Sequence, residues 1–448
     1  MSSLVQPPPQ RDEGFFARRD DIEKKGYGNH KGLFCPLRVC RDRFPVFEYF
    51  ELLSRKCGEE IEKEIYTFED KAKRKLGLRF EFTSPLGRYY ATNREKLTKP
   101  FKRYTIGKVY RYENPQTGRY REFYQADADI IGSYSMNVEL ELLDLAIFTH
   151  TKLEMDSYEI ILNNRKLLDG IINAAGIGEG KKDAALRALD KTAKIGEDGV
   201  IKEFKENGIN EENYRSFMEF IKFDKDLADM EKLSILSKKL NKSVKDELVK
   251  NQAIEGAKEL LSIFENADAI GLDFIKYDPL LVRGLGYYTG PIFEIKSKDL
   301  SIGSFAAGGR YDNLVELYGA RPEGACGISF GVERIIDIIM QRDEKALQFL
   351  HSPVKLYIVY LSENERLYAY KAAKTLRLKG ISVELSVSVS PNISKEIRYA
   401  DKKKIEYVAI IGEKEADEKK LTVKNIKTRE EKLITLEKLI ELLNNNYI

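Results

Sequence analysis

Arginines, carboxylates and closely spaced glycines gather in four stretches of this chain. The first runs from Val109 to Ile131, where two strand-like segments flank the turn Asn114-Pro115-Gln116-Thr117-Gly118. Alternate residues of a strand share a face. Arg111 and Glu113 therefore lie together, and so do Arg121, Phe123, Gln125, Asp127 and Asp129 on the returning strand. Tyr124, Ala126, Ala128 and Ile130 fall on its other face and suit a packed core. Buried charges are costly unless they are paired or bound to something. The polar face is thus either an internal salt-bridge ladder or a floor for a charged ligand.

The second stretch is Arg283-Gly-Leu-Gly-Tyr-Tyr-Thr-Gly290. Gly284 allows close approach of backbone to a ligand beside Arg283, and each tyrosine offers a flat apolar body with a polar tip. A plain turn with two half-buried tyrosines would use the same residues. The third, Ala306-Ala-Gly-Gly-Arg310-Tyr-Asp312, resembles a glycine-lined wall with a charged pair behind it. In the fourth, Gly327-Ile-Ser-Phe-Gly331-Val-Glu-Arg334, a strand runs into a helix. A cation in the first turn of a helix is unfavourable unless an anion compensates, so Arg334 is a candidate for meeting a phosphate. Any one of these glycine patterns alone is weak.

The elements that must position these residues change in character along the chain. Residues 1–44 are irregular, interrupted by Gly26, Gly28, Gly32 and Pro36. From Pro45 to about 164, strand-like and helix-like segments alternate. Val138, Leu142, Leu145 and Ala146 share one helical face, with Asn137 as the expected cap and Glu139 and Glu141 in the first turn. Residues 165–260 are rich in Lys, Ala, Leu and Glu and read as a helical insertion. Lys181, Lys182, Arg187, Lys191 and Lys194 form either a solvated face or an RNA-facing surface there. Strand-like composition returns at 278–331, and a helix is expected from Val332 to Met340. After Ser352 the apolar runs Leu356–Leu361 and Tyr407–Gly412, separated by helical segments near 363–379 and 392–404, make a βαβ pattern and a separate C-terminal α/β domain.

The chain has 448 residues, enough for two or three domains. Its formal charge of +3 neither demands nor excludes a nucleic-acid partner. Four cysteines, Cys35, Cys40, Cys57 and Cys326, form no disulfide-like framework and point to a reducing compartment. Cys35, Cys40 and nearby His30 are poorly spaced for zinc. No run of about 18 apolar residues suggests a membrane span, and no secretion signal is evident. The expectation is a soluble cytoplasmic protein.

Taken in order, the motifs resemble a family. Arg111 with Glu113, a short loop, then Arg121 and Phe123 are similar to the second signature of class II aminoacyl-tRNA synthetases, and Gly327 to Arg334 to the third. The stretches Arg283–Gly290 and Gly308–Asp312 are similar to signatures of the histidine-specific members, and Leu78-Arg-Phe-Glu81-Phe-Thr83 and Gly118-Arg119-Tyr120-Arg121 fit as well. The resemblance runs from Pro45 to the C-terminus. It implies an α+β fold: an antiparallel catalytic sheet with helices (45–164 and 261–345), a helical insertion (165–260) and a C-terminal α/β anticodon-binding domain (353–448).

The resemblance also implies an activity, histidine–tRNA ligation. The histidine carboxylate attacks the α-phosphorus of ATP to give histidyl-adenylate, and the 3′ end of tRNA(His) then attacks the activated carbonyl. It implies ATP with Mg²⁺ on the β- and γ-phosphates, L-histidine and tRNA(His) as partners, and a homodimer. By resemblance, Arg111 contacts the α-phosphate, Glu113 the adenine edge and Arg334 the γ-phosphate. Phe123 stacks on adenine, Arg121 joins the ATP site, and Arg283 stands in for a metal near the α-phosphate. Glu81, Thr83 and Gln125 match the residues that hold the substrate's α-amino group. Asp129 and Tyr288, with Tyr287 beside them, match those that read the imidazole. Gln116 and Arg119 are candidate tRNA contacts. None of the three histidines, His30, His150 and His351, lies in these motifs, so histidine acid–base catalysis is not expected.

Three departures stand out. Gly286 occupies a position commonly held by Asp, Ala306-Ala307 replaces a more glycine-rich pair, and residues 14–42 do not read as the family's long interface helix. Two other functions compete. A synthetase-like regulator would tend to lose the arginines or the C-terminal domain, yet Arg111, Arg121, Arg283 and Arg334 are all present. A sister synthetase for threonine, proline or glycine would lack Arg283 to Gly290.

Overall fold

A computed structural model describes residues 40–41, 44–55, 59–114, 118–155, 157–272, 275–282, 287–298, 303–342, 352, 354–388 and 391–445. Arg283, Gly286, Gln116, His30, His351, Cys35, Cys57 and nearly all of the irregular segment 1–44 lie outside them. The chain divides into two compact units, Met1–Ile339 and Met340–Ile448.

The first unit is built on an eight-stranded sheet. Its order across the sheet is Cys40–Arg41, Phe101–Tyr110, Glu122–Ile131, Ala325–Gly331, Ser304–Arg310, Pro291–Ser297, Tyr158–Asn164 and Ile275–Tyr277. The six inner strands pair antiparallel, and only the two edge strands run parallel to their neighbours. This placement puts the first, third and fourth motif stretches side by side in the middle of one sheet.

The helix Asn137–Lys152 packs against this sheet. Val138, Leu142, Leu145 and Ala146 are all buried, as their spacing requires. The cap differs from expectation: Asn137 is the first helical residue, and its N–H donates to Ser135 Oγ at 3.2 Å. Serine two residues earlier reaches the open amide, so the asparagine is not needed for it.

Residues 165–260 are helical as read from composition. The helices are Arg165–Ala174, Glu179–Asp190, Thr192–Glu206, Glu211–Phe220, Asp229–Ser243 and Glu247–Ala269. Their apolar faces belong to the same continuous core as the sheet: Leu167, Ile171, Leu260 and Ile263 are fully buried in it. Glycine lets two of these helices close up, since a Cβ on Gly170 would meet the Ala253 Cβ at 2.4 Å. Three of the five basic residues noted in the sequence are engaged: Lys181 with Gly208 O, Lys182 with Asp169 and Glu179, and Lys191 with Glu203.

In the second unit, Leu356–Tyr360 lies between Val383–Leu385 and Tyr407–Ile411, parallel to both. Helices Glu363–Leu378 and Ile393–Lys402 connect them, the first capped by Ser362 and Glu365. Two antiparallel strands, Lys420–Asn425 and Glu431–Thr435, complete a five-stranded sheet. Their sequences are too charged to announce a buried strand.

Candidate active site

The strands Phe101–Tyr110 and Glu122–Ile131 stop short of the motif residues at their tip. Arg111, Glu113 and Arg121 therefore sit in the connection, not on a strand face as alternation implied. One ladder bond, from Arg111 N–H to Arg121 O at 2.9 Å, carries the pairing just past the strand ends. The polar side chains converge through the loop instead. Arg111 Nε donates to Phe80 O at 3.1 Å, and its guanidinium lies 5.2 Å from the Phe123 ring centre. Glu113 sits between two arginines, 3.8 Å from Arg111 and 3.6 Å from Arg119. Arg121 is exposed; it donates to Glu113 O at 2.9 Å and stacks on Tyr112.

Arg334 comes to the same place from the first turn of the helix Val332–Arg342. Its Nε donates to Gly118 O at 2.8 Å and its Nη1 to Ser304 O at 2.6 Å. Burial lowers its proton affinity first, and the nearby Arg119 and Arg111 lower it further, against the pull of Glu113 and Glu294. Three guanidiniums thus face two carboxylates at the start of a helix. Such a surplus is unfavourable until an anion enters.

The other end of the strand Glu122–Ile131 is acidic and closed. Gln125, Asp127 and Asp129 are buried on one face. Across one ladder they oppose Gly107, Thr105 and Arg103, and across the other Gly331, Ser329 and Gly327. Asp129 Oδ2 lies 2.7 Å from Arg103 Nη2, and its Oδ1 accepts from Tyr311 Oη. Asp127 accepts from Ser329 Oγ at 2.6 Å. Burial, then Asp129, pushes the Asp127 carboxyl up to about 7. The Gln125 side-chain oxygen is buried without a hydrogen-bond partner. Gly327 is a glycine for a steric reason: a Cβ there would stand 2.2 Å from Asp129 Oδ1.

Glu81 borders the floor, near enough to raise the Asp127 carboxyl. Its carboxylate also accepts the amides of Thr83 at 3.0 Å and Ser84 at 2.8 Å, at the start of the helix Thr83–Asn93. Tyr287 and Tyr288 stack with ring centres 4.6 Å apart, and Tyr287 meets Tyr311 edge-on at 6.1 Å. This end of the second motif is tied to the third. Thr289 N–H donates to Arg310 O at 2.8 Å, and Asp312 N–H donates to Thr289 Oγ1 at 3.0 Å.

Comparison with known proteins places this geometry. The family model described as histidyl-tRNA synthetase matches residues 43–335, and an anticodon binding domain model matches 355–446. The chain belongs to the histidyl-tRNA synthetase family. Its function is that of the family, the ligation of histidine to tRNA(His). It is 37% identical to the histidine–tRNA ligase of Bacteroides fragilis strain YCH46 over 88% of this chain and 82% of that one. It is 36% identical to that of Clostridium tetani over 97% of this chain and 95% of that one. The crystal structure of histidyl-tRNA synthetase from Nostoc sp. PCC 7120 aligns with a TM-score of 0.76 at 25% identity, covering 98% of this chain and all of that one. A structure described as an ATP phosphoribosyltransferase regulatory subunit/histidyl-tRNA synthetase from Bacillus halodurans aligns at a TM-score of 0.66 and 18% identity, a likeness of fold alone.

Against the histidyl-tRNA synthetase motifs, the structure brings Arg111, Glu113, Arg119, Phe123 and Arg334 to one end, and Glu81, Gln125 and Asp129 to the other. Thr83 stands beside Glu81 and is half-buried. Two charged residues were given no part in the site from the sequence: Arg103 under Asp129, and Glu139, read only as a first-turn acid, which clamps Arg310 with two bonds of 2.6 and 2.7 Å. Arg310 is thereby locked in the core, with Asp312 as its weaker partner at 3.2 Å. Arg103 had one sequence signal, its place between Phe101 and Thr105 on the buried side of an alternating strand. His150 is buried among Tyr158, Phe305 and Phe330, and burial pushes it down to about 4.

Proposed function

We propose that the arginine-rich end binds ATP and the acidic floor binds histidine, so that the two meet for adenylate formation. The observation that carries this is the charge surplus around Arg334, where Arg111 and Arg119 lie close enough to lower its proton affinity. A triphosphate is the family-consistent anion to fill it. Phe123, already faced by the Arg111 guanidinium, offers its ring to adenine, with Glu113 at the adenine edge. Mg²⁺ would supply further neutralisation of the triphosphate's charge at this end. Glu294, close enough to Arg334 to raise its proton affinity, is the described carboxylate that would face it.

On the floor, Glu81, Thr83 and Gln125 hold the α-ammonium. The unpaired Gln125 oxygen is a ready acceptor for it. Asp129 and Tyr288, with Tyr287, read the imidazole. Side chains lacking its nitrogens are disfavoured because they displace water from this polar floor without returning a hydrogen bond. Arg283, outside the described residues, takes the α-phosphate by its place in the motif. The chemistry is positioning and charge neutralisation, with no side-chain nucleophile. The cytoplasm, a homodimer, and contacts from Gln116 and Arg119 to tRNA complete the proposal.

Histidine-dependent exchange of labelled pyrophosphate into ATP tests the assignment. Arg283→Ala is expected to lose most exchange and still bind histidine. Loss of histidine binding with turnover of bound substrate intact would overturn that role. Sedimentation tests the dimer.

A further inference from the structure

Arg103 belongs to none of the four motif stretches, yet it is fully buried beneath the histidine-reading carboxylate. It stands directly across the ladder from Asp129 on the strand Phe101–Tyr110. Its Nη2 is 2.7 Å from Asp129 Oδ2, and the Phe44 ring covers it at 5.0 Å. With a relative exposure of 0%, it has no surface on which to touch a substrate. A buried ion pair is a poor way to stabilise a fold, because desolvation offsets most of the attraction. Its presence at the floor of a binding site calls for another role.

We propose that Arg103 is a positioning residue for histidine recognition, acting through Asp129 by keeping that carboxylate charged and aimed. This rests on the assignment of Asp129 to the imidazole. Asp129 is held from three sides: Arg103 on one oxygen, Tyr311 on the other, and the bare backbone of Gly327 beside it. The charged neighbours show why a guanidinium is needed. Asp127 shares the same strand face and Glu81 is close to it, so carboxylates outnumber cations on the floor. Tyr311, which bonds Asp129, and Cys326, on the adjoining strand, are pushed well up by burial and contribute no charge of either sign. Arg103 is the cation that Asp127 and Tyr311 also sense. Without it, adjacent carboxylates in a closed site take up a proton, and an imidazole N–H loses its charged acceptor.

The test is pyrophosphate exchange with the full chain, measuring KM for histidine and for ATP between pH 6 and 9. Arg103→Met is expected to raise the histidine KM by about 10- to 100-fold while the ATP KM and kcat change by less than about threefold. The defect should be worst at low pH and ease as pH rises. Arg103→Lys should fall between wild type and Met. Equal rises in both KM values, a fall in kcat alone, an unchanged histidine KM, or a lysine variant as impaired as the methionine one would each overturn the proposal. If the methionine variant does not fold, the lysine variant decides. A histidine KM raised several-fold with the same pH trend supports the role; wild-type behaviour across the range overturns it. Asp129→Asn separates the two layers. An unchanged histidine KM there removes the Asp129 assignment itself. A raised one beside a normal Arg103→Met removes only the inference about Arg103.

Discussion

The two ends of the site solve the problem of charge in opposite ways. At the loop end, Arg111, Arg119 and Arg334 outnumber Glu113 and Glu294, and the first two lower the proton affinity of Arg334. At the floor, Asp129 is already matched by Arg103 and Tyr311, and Asp127 by Ser329. The first end is half-buried and built from a hairpin tip and a helix start. The second is buried and built from the middle of the sheet. A surplus left open suits a multiply charged ligand that brings its own compensation. A pre-matched floor suits discrimination, because its geometry is set before the ligand arrives.

Removing charge from the two ends should therefore have different signatures. The largest effect is expected from Arg334→Ala, a loss of about 10²- to 10³-fold in exchange kcat with thermal stability equal to or above wild type, because a repulsive cluster is relieved. A destabilised Arg334→Ala protein would break the contrast. Next, Glu139→Ala should cost on the order of 3 kcal/mol of stability, read by denaturant unfolding, because it strands the buried Arg310. If stability held, Asp312 and the Ser133 and Ser135 carbonyls would be enough to hold Arg310 without Glu139.

Asp129→Asn should raise the histidine KM by about 30-fold and leave the ATP KM within about twofold. Asp127→Asn sharpens the description of the floor through pH. Its folded-state carboxyl is raised from 3.8 to about 7, so the protonated form favours the fold. That contribution is complete below pH 3.8 and is lost as pH climbs through about 7. The variant should lose this part of the decline, gaining on the order of 2 kcal/mol above pH 8 relative to wild type. A parallel pH–stability curve for the two proteins would show that Asp127 is already ionised. Smallest is Arg121→Ala. Its side chain is exposed and braces the loop through Glu113 O and the Tyr112 ring, so exchange should fall by no more than about tenfold. A loss as deep as that of Arg334→Ala would put Arg121 on the nucleotide.

The sequence was most legible where local rules act without competition. The 3.6-residue spacing of Val138, Leu142, Leu145 and Ala146 is a property of one helix, and the helix is there. Apolar runs at 356–361 and 407–412 are parallel strands because nothing but burial on both faces explains them. Alternation misled at Arg111 and Arg121, where the strand ends and loop hydrogen bonds take over. The bond from the Asn137 amide to Ser135 Oγ was missed because the asparagine itself offered the same chemistry.

By itself the sequence determined the family, the order of the motifs and the residue types at the site, because these are short-range patterns. It also determined that Asp127 and Asp129 share a face, because a strand alternates. It left open whether that face was a salt-bridge ladder or a ligand floor, and only the tertiary structure shows which groups its carboxylates meet. Arg103 arrives from the preceding strand, Ser329 and Gly327 from a strand some 200 residues later, and Tyr311 from beyond another. The pairing that results sets the Arg103 guanidinium 2.7 Å from Asp129 and leaves the Gln125 side-chain oxygen without a hydrogen bond. Charge compensation of this kind depends on distance in space, which no spacing along the chain records.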